Sequence, residues 1–324
     1  MKQLNLWTVL GIWAGLTLAG ALYATWQGYS GRPFALTLAA FAILLLGMLA
    51  FAARGVAERL AGKSGIAAGF LHGALVFVVY VMYLAGTGTF AIVRAGAIAA
   101  FIFVPLGLAV SAGGTAAGAW QDFVTIAGVW VCVKFGPRDW IWPYHGEKLA
   151  HLFTVLMAVN VALATFLFVR RAKGVGYSIG WGKNWSVYVA GSFIAFALVA
   201  IPLGISMKFI VFEPRTSHLG GLLLDPLAIL FFTAWPEELL FRGLLQNFLA
   251  RTSKSDFAGW WTASMLFGLS HITNLGFPNW KYAILAAIAG IFYGWAWKQT
   301  GSIFASALVH AAVDTTWHFL FRTL

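Results

Sequence analysis

Stretches of about twenty predominantly apolar residues recur along this 324-residue chain. At about 1.5 Å of helical rise per residue, each is long enough to cross a hydrocarbon layer of roughly 30 Å. Lipid offers the backbone no hydrogen-bond partners, so open strands are excluded and helices are expected. The runs fall at about 4–26, 33–53, 65–92, 95–119, 149–169, 185–206, 224–250, 257–272, 282–297 and 302–321. The expected fold class is therefore all-α, a polytopic transmembrane helical bundle of about ten membrane helices. Composition agrees, because 61% hydrophobic and only 10% charged residues lies far from soluble usage of about 25% charged.

The net charge of +11 reflects few acids (10) as much as many bases (21). The bases sit between the apolar runs, as in Arg54, Arg59 and Lys63, or Arg170, Arg171 and Lys173. That placement fits membrane topology and lipid headgroups as partners, and not nucleic acid. Cys132 is the single cysteine, so an intramolecular disulfide is excluded. The first run, after Met1-Lys2-Gln3, is too long for a signal peptide and reads as a first membrane helix. The region 123–146 holds a shorter apolar run followed by "KFGPRDWIWPYHG", rich in aromatic residues and proline, and is expected to be interfacial or re-entrant. The glycine-rich segment 172–184 is the best candidate boundary, and the chain before it is expected to lack buried acids.

Charges inside the later runs stand out. Asp225-Pro226 reads as an N-cap with proline at the first helical position, opening a helix to about Ala250 that Pro236 kinks near mid-depth. Glu237 and Glu238 follow, where an ionised group costs at least ~2.5 kcal/mol on lenient insertion scales. Glu238 and Arg242 are four apart and share a face, so Arg242 is expected to hold Glu238 ionised through a bidentate fork. Glu237 points about 100° away with no cation on its own helix, free to titrate. A solvated Glu-Arg pair at a helix end is the bland alternative.

Phe267 to His271, "FGLSH", closes the next run, and a lone histidine there is as readily an interfacial residue as a functional one. The last run holds His310 and Asp314, four apart, with His318 one turn further; an aspartate there needs a partner, which either histidine can supply. A purely structural His-Asp pair competes with a functional one. Taken together the three clusters contain what acid-base hydrolysis requires: a carboxylate tuned by burial, a histidine to share a water's proton, and polar groups for an oxyanion.

Glu237-Glu238-Leu239-Leu240-Phe241-Arg242, Phe267 to His271 and His310 to Asp314, in that order on successive apolar helices, resemble the EExxxR, FxxxH and HxxxN/D motifs of the CPBP family of CAAX proteases and bacteriocin-processing enzymes, which includes the type II CAAX prenyl endopeptidases. The resemblance covers roughly 185–324. It implies a glutamic-type intramembrane endopeptidase domain over 181–324, with 1–180 an N-terminal transmembrane region whose role the resemblance does not supply. Carried over, Glu237 is the general base that activates water with His271, while His310 and Asp314 take the oxyanion-stabilising positions; Glu238 and Arg242 complete the motif. Asp314 departs from the asparagine of the prenyl endopeptidases, and an ionised aspartate cannot donate a hydrogen bond. Either Asp314 is protonated, or it orients and charges His310.

The implied partner is a membrane-associated peptide or protein in a lipid bilayer, with no nucleic acid, and the expected setting is a multi-pass protein of a bacterial cell membrane. No cofactor is implied. A zinc hydrolase is the nearest rival, since two histidines with carboxylates can bind Zn²⁺, but HExxH is missing. No GxGD signature is present, and a GxSG match, Gly62-Lys63-Ser64-Gly65, lies in a basic loop without a histidine partner. A proton-coupled transporter would need a matching set of acids in the first half, and a non-catalytic scaffold would not need Glu237, His271 and His310 intact.

Overall fold

The computed structural model of the chain describes residues 2–62, 64–113, 117–144, 146–215 and 221–324, the side chains of 146–148 and 221–223 excepted. Lys63, in the basic loop noted above, lies outside them. The chain divides into two compact units, Gln3–Lys173 and Gly174–Leu324, the latter joined by Lys2.

The first unit is built from α1 (Leu6–Trp26), α2 (Gly31–Ala50), α3 (Val56–Ala61), α4 (Gly65–Gly86), α5 (Ile92–Ser111), α6 (Trp120–Phe135), α7 (Arg138–Ile141) and α8 (Gly146–Leu163), which runs on as a π-helical turn over Ala164–Val169. Asn5 starts α1 by accepting the Thr8 backbone N–H at 2.9 Å, satisfying one of the donors left open at a helix start. The segment expected to be interfacial forms α6, whose 16 residues give about 24 Å, short of a full crossing.

This unit does contain a buried acid, contrary to the expectation from sequence. Asp122 in the first turn of α6 accepts the Gly118 and Ala119 backbone N–H groups at 2.9 and 3.1 Å and faces Arg170 through two bonds, 2.7 Å from Nε and 2.9 Å from Nη2. Arg170 also donates to the Gly113 carbonyl at 3.0 Å. The partner lies 48 positions away in sequence, beyond the reach of any helix-face pattern, which is why the pair was not legible.

The second unit contains α9 (Trp185–Ser206), a strand β1 (Ile210–Phe212), a continuous helical segment from Gly221 to Ser253, α13 (Asp256–Leu269), α14 (Trp280–Thr300), α15 (Ile303–Leu320) and a strand β2 (Phe321–Thr323) that pairs antiparallel with β1. The helical segment comprises α10 (Gly221–Ile229), a π stretch over Leu230–Ala234, α11 (Trp235–Glu238), a second π stretch over Leu239–Gln246, and α12 (Asn247–Ser253). The chain is already helical at Gly221, so Asp225 lies inside α10 and is not its N-cap. Pro236 lacks an N–H and crowds the preceding turn. The helix accommodates it by widening into π turns on either side, a form that recurs at functional sites.

Among the described residues, six helices are long and apolar enough to cross a membrane: α1, α2, α4, α5, α8 with its π extension, and α9. The remaining four expected runs are also helical, and the polar groups of the site lie on them. On α9, Val187, Ile194, Leu198 and Ile205 form an exposed apolar stripe at helical spacing, while Ser192, Ala200 and Gly204 face inward. Such a stripe is unfavourable against water and compatible with lipid.

Candidate active site

α13, α14 and α15 are placed with short, capped connections. Ser255 caps α13, Asn279 caps α14 through the Tyr282 N–H at 3.0 Å, and Ser302 caps α15. Gly301, at φ +65°, is the left-handed residue that ends α14 and lets α15 start at once. At Gly268 a Cβ would lie 2.5 Å from the Ala283 carbonyl oxygen. Only glycine allows the end of α13 to approach the start of α14 this closely, and that approach sets His271 beside Tyr282, their rings stacked at 5.3 Å.

Glu238 is fully buried at the centre of a polar cluster. Its Oε2 accepts the Ser306 hydroxyl at 2.5 Å and lies 3.0 Å from Arg242 Nε, and its Oε1 lies 3.0 Å from His310 Nδ1. The expected ion pair is present; the expected bidentate fork is not. Arg242 Nε is at ion-pair distance, yet its N–H does not point along that line, and neither terminal nitrogen has a hydrogen-bond partner among the described residues. The guanidinium sits instead against the rings of Phe267, Tyr293 and Phe241, at 4.8, 5.7 and 5.9 Å. Ring faces thus stabilise the cation where no second in-plane contact does.

His310 lies almost fully buried between two carboxylates, Glu238 at Nδ1 and Asp314 Oδ2 at 3.4 Å from Nε2. Its ring stacks on Tyr293 at 4.5 Å and 17° and meets Phe267 edge-on at 5.7 Å. Both nitrogens therefore face acceptors. His318 does not join this cluster: its Nε2 lies 3.7 Å from Asp225 Oδ2, at the start of the unit's long helical segment.

Glu237 is on the other side of the helix from Glu238, as the 100° offset requires. It is half-buried, its Oε2 is shielded from solvent, and that oxygen has no hydrogen-bond partner among the described residues. It lines a cavity of about 240 Å³ together with His271, Asn274, Tyr282, His310 and Asp314. The rest of the lining is largely apolar and aromatic, including Phe193, Phe196, Ile201 and Phe209 from α9 and the turn after it. Ile210 of β1 and Phe321 of β2 line it as well.

His271 stands in the turn just after α13. Its Nδ1 lies 2.8 Å from the Phe267 carbonyl oxygen, which can only accept, so the ring proton belongs on Nδ1. Nε2 of the neutral ring then carries the lone pair, the form needed in a proton acceptor.

All six residues singled out in the sequence are thus in one neighbourhood, in two layers: Glu237, His271, His310 and Asp314 on the cavity, Glu238 and Arg242 behind. Sequence reasoning missed Ser306, which holds Glu238, and Asn274 and Tyr282, which line the cavity. Ser306 shares a helix face with His310, four residues on, and that spacing was its only signal. Among the described residues no group of three or more His, Cys, Asp and Glu side chains is arranged to hold a metal ion.

Residues 219–316 match the family model described as Type II CAAX prenyl endopeptidase Rce1-like. Searches of curated proteins and of solved structures returned no significant match. The matched segment contains all three motifs and nearly the whole polar side of the cavity, and leaves the first unit outside it.

Proposed function

We propose that this chain, a multi-pass helical membrane protein whose residues 219–316 belong to the Rce1-like family of CAAX proteases, is a glutamic-type endopeptidase that hydrolyses a peptide bond of a membrane-associated substrate. The observation that carries the reading is the pairing, on one cavity, of an unpartnered Glu237 carboxylate oxygen with His271, whose Nδ1 is turned to the Phe267 carbonyl.

A water between Glu237 and His271 Nε2 would give its proton to the Glu237 carboxylate as its oxygen attacks the scissile carbonyl carbon. The carbonyl π electrons move onto oxygen. Collapse of the tetrahedral intermediate then breaks the C–N bond, and the proton passes to the departing amine. Glu238 takes no proton in this scheme; it is held by Arg242, Ser306 and His310 and keeps His310 oriented. Asp314 orients the other nitrogen of His310. The aromatic wall gives an apolar portion of the substrate a place beside the reacting bond, which suits a chain delivered from lipid.

The test is cleavage of a membrane peptide library by the purified protein in lipid, wild type against Glu237→Gln, with a chelator in both. Cleavage by wild type alone is expected. Activity that disappears with the chelator and returns with zinc would replace this reading with a metalloprotease.

A further inference from the structure

Hydrolysis through a tetrahedral intermediate needs hydrogen-bond donors aimed at the developing oxyanion, and the polar groups first expected to donate are committed elsewhere. An ionised Asp314 only accepts. His310 has a carboxylate at each nitrogen, 3.0 Å away at Nδ1 and 3.4 Å away at Nε2. Arg242 lies behind the cavity wall, fully buried among three rings.

We infer that the Tyr282 hydroxyl, aided by the Asn274 side chain that lines the same cavity, is the donor that polarises the scissile carbonyl and stabilises its oxyanion. This rests on the hydrolytic reading above.

Three observations place it there. Tyr282 lines the cavity with Glu237, His271 and Asp314, and its ring lies against His271 at 5.3 Å. The phenol therefore stands on the same wall as the water-activating pair. Its side chain is fixed on three flanks, by His271, by Phe209 at 5.6 Å and by Trp317 at 5.2 Å, so the hydroxyl is oriented before substrate arrives. A preorganised donor needs no rearrangement in the transition state, which is where its electrostatic advantage originates.

Asn274 supplies the second element. It lines the same cavity. A carboxamide N–H donating to the phenol oxygen as substrate binds would leave the phenol hydrogen for the substrate and make it a stronger donor. The loop is itself tied down: the Asn274 N–H donates to the His271 carbonyl at 2.9 Å, and the Asn279 side chain donates to the Asn274 carbonyl at 3.1 Å. Asn279 also caps α14, so one short segment positions His271, Asn274 and Tyr282 together.

In the step itself, the water oxygen bonds to the carbonyl carbon, the water proton goes to Glu237, and the carbonyl oxygen gains the π electron pair while accepting the Tyr282 hydrogen bond. Tyr282 keeps its proton throughout. When the C–N bond breaks, the electron pair returns to carbonyl and the amine takes the proton from Glu237.

The experiment uses full-length protein in lipid and a library peptide that the wild type cuts, comparing kcat and KM for Tyr282→Phe, Asn274→Leu and the double variant, with Glu237→Gln alongside. Tyr282→Phe keeps every ring contact and loses only the hydroxyl. It is expected to lower kcat by roughly 10²-fold with little change in KM. Asn274→Leu is expected to lower kcat less, and the double variant to be no worse than Tyr282→Phe, because the two act as one unit. Tyr282→Phe turning over within about threefold of wild type overturns the inference, and if Glu237→Gln is inactive in the same assay the hydrolytic reading survives it. Additive losses in the double variant overturn the coupling to Asn274. A wild type that cuts no peptide removes the hydrolytic reading and this inference together.

Discussion

Asp122 and Glu238 are both buried carboxylates beside an arginine, one in each unit, and they are held in opposite ways. Asp122 meets Arg170 through two aligned bonds, takes two further backbone N–H groups, and leaves Arg170 bonded to a backbone carbonyl. Glu238 meets Arg242 at one nitrogen with poor alignment and spends its remaining capacity on Ser306 and His310. The first pair closes on itself and ties α6 to the end of the helix that α8 begins. The second connects outward, through His310 to Asp314 and so to the cavity. Burial of a charge is common to both, so burial alone does not mark a site. What separates them is whether the network ends in satisfied backbone or runs out to an open volume, one that the unpartnered Glu237 carboxylate also lines.

The sharpest way to break this distinction is at that unpartnered group. Glu237→Gln should reduce peptide cleavage by roughly 10²- to 10⁴-fold, the contribution of a positioned general base, while leaving thermal unfolding of the detergent-purified protein unchanged. Equal activity in the variant would mean the cavity carboxylate is a bystander.

Asp122→Ala should show the reverse pattern. Removing one partner of a buried, hydrogen-bonded ion pair costs about 3–5 kcal/mol because the remaining charge is stranded. A lower unfolding temperature is expected, with kcat per folded molecule preserved. A selective loss of turnover at unchanged stability would put Asp122 into the functional class and dissolve the contrast between the two pairs.

Asp314→Asn probes the outward end of the Glu238 network. If Asp314 orients and charges His310, the amide keeps the shape and removes the charge, and kcat should fall by about tenfold, the effect of weakening one charge-assisted contact. Unchanged or higher activity would show that this position donates to the oxyanion and that His310 needs no second carboxylate.

The parts of this arrangement legible in the sequence were those where a charge stands in an apolar helix. Glu237, Glu238, Arg242, His310 and Asp314 are conspicuous because their desolvation demands a reason, and helical spacing then says which of them share a face. The apolar runs themselves became helices for the same reason, since lipid leaves the backbone no alternative. Tyr282 and Asn274 carry no such signal: a tyrosine near a helix start and an asparagine in a turn are ordinary, and only the approach permitted at Gly268 brings them to His271. Asp122 was missed because its partner is remote, and of the two histidines open as partners for Asp314, His310 takes the place while His318 meets Asp225 from another helix. Local spacing predicts contacts along a helix and is silent about contacts across helices.

The bidentate fork failed for a related reason, and Arg242→Lys makes the correction quantitative. A true fork would make this substitution severe, since lysine cannot reproduce two parallel N–H contacts. In the structure a single nitrogen reaches Glu238 at 3.0 Å, and an ammonium can do the same. What lysine forfeits is the flat cation against Phe267, Tyr293 and Phe241, a loss of about 1–2 kcal/mol in a desolvated setting. Arg242→Lys is therefore expected to lower the unfolding temperature modestly and to retain a substantial part of the wild-type kcat. Complete inactivation, with the protein still folded, would mean that the terminal guanidinium nitrogens act during turnover, and the Glu238 pair would then be more than a frame for His310.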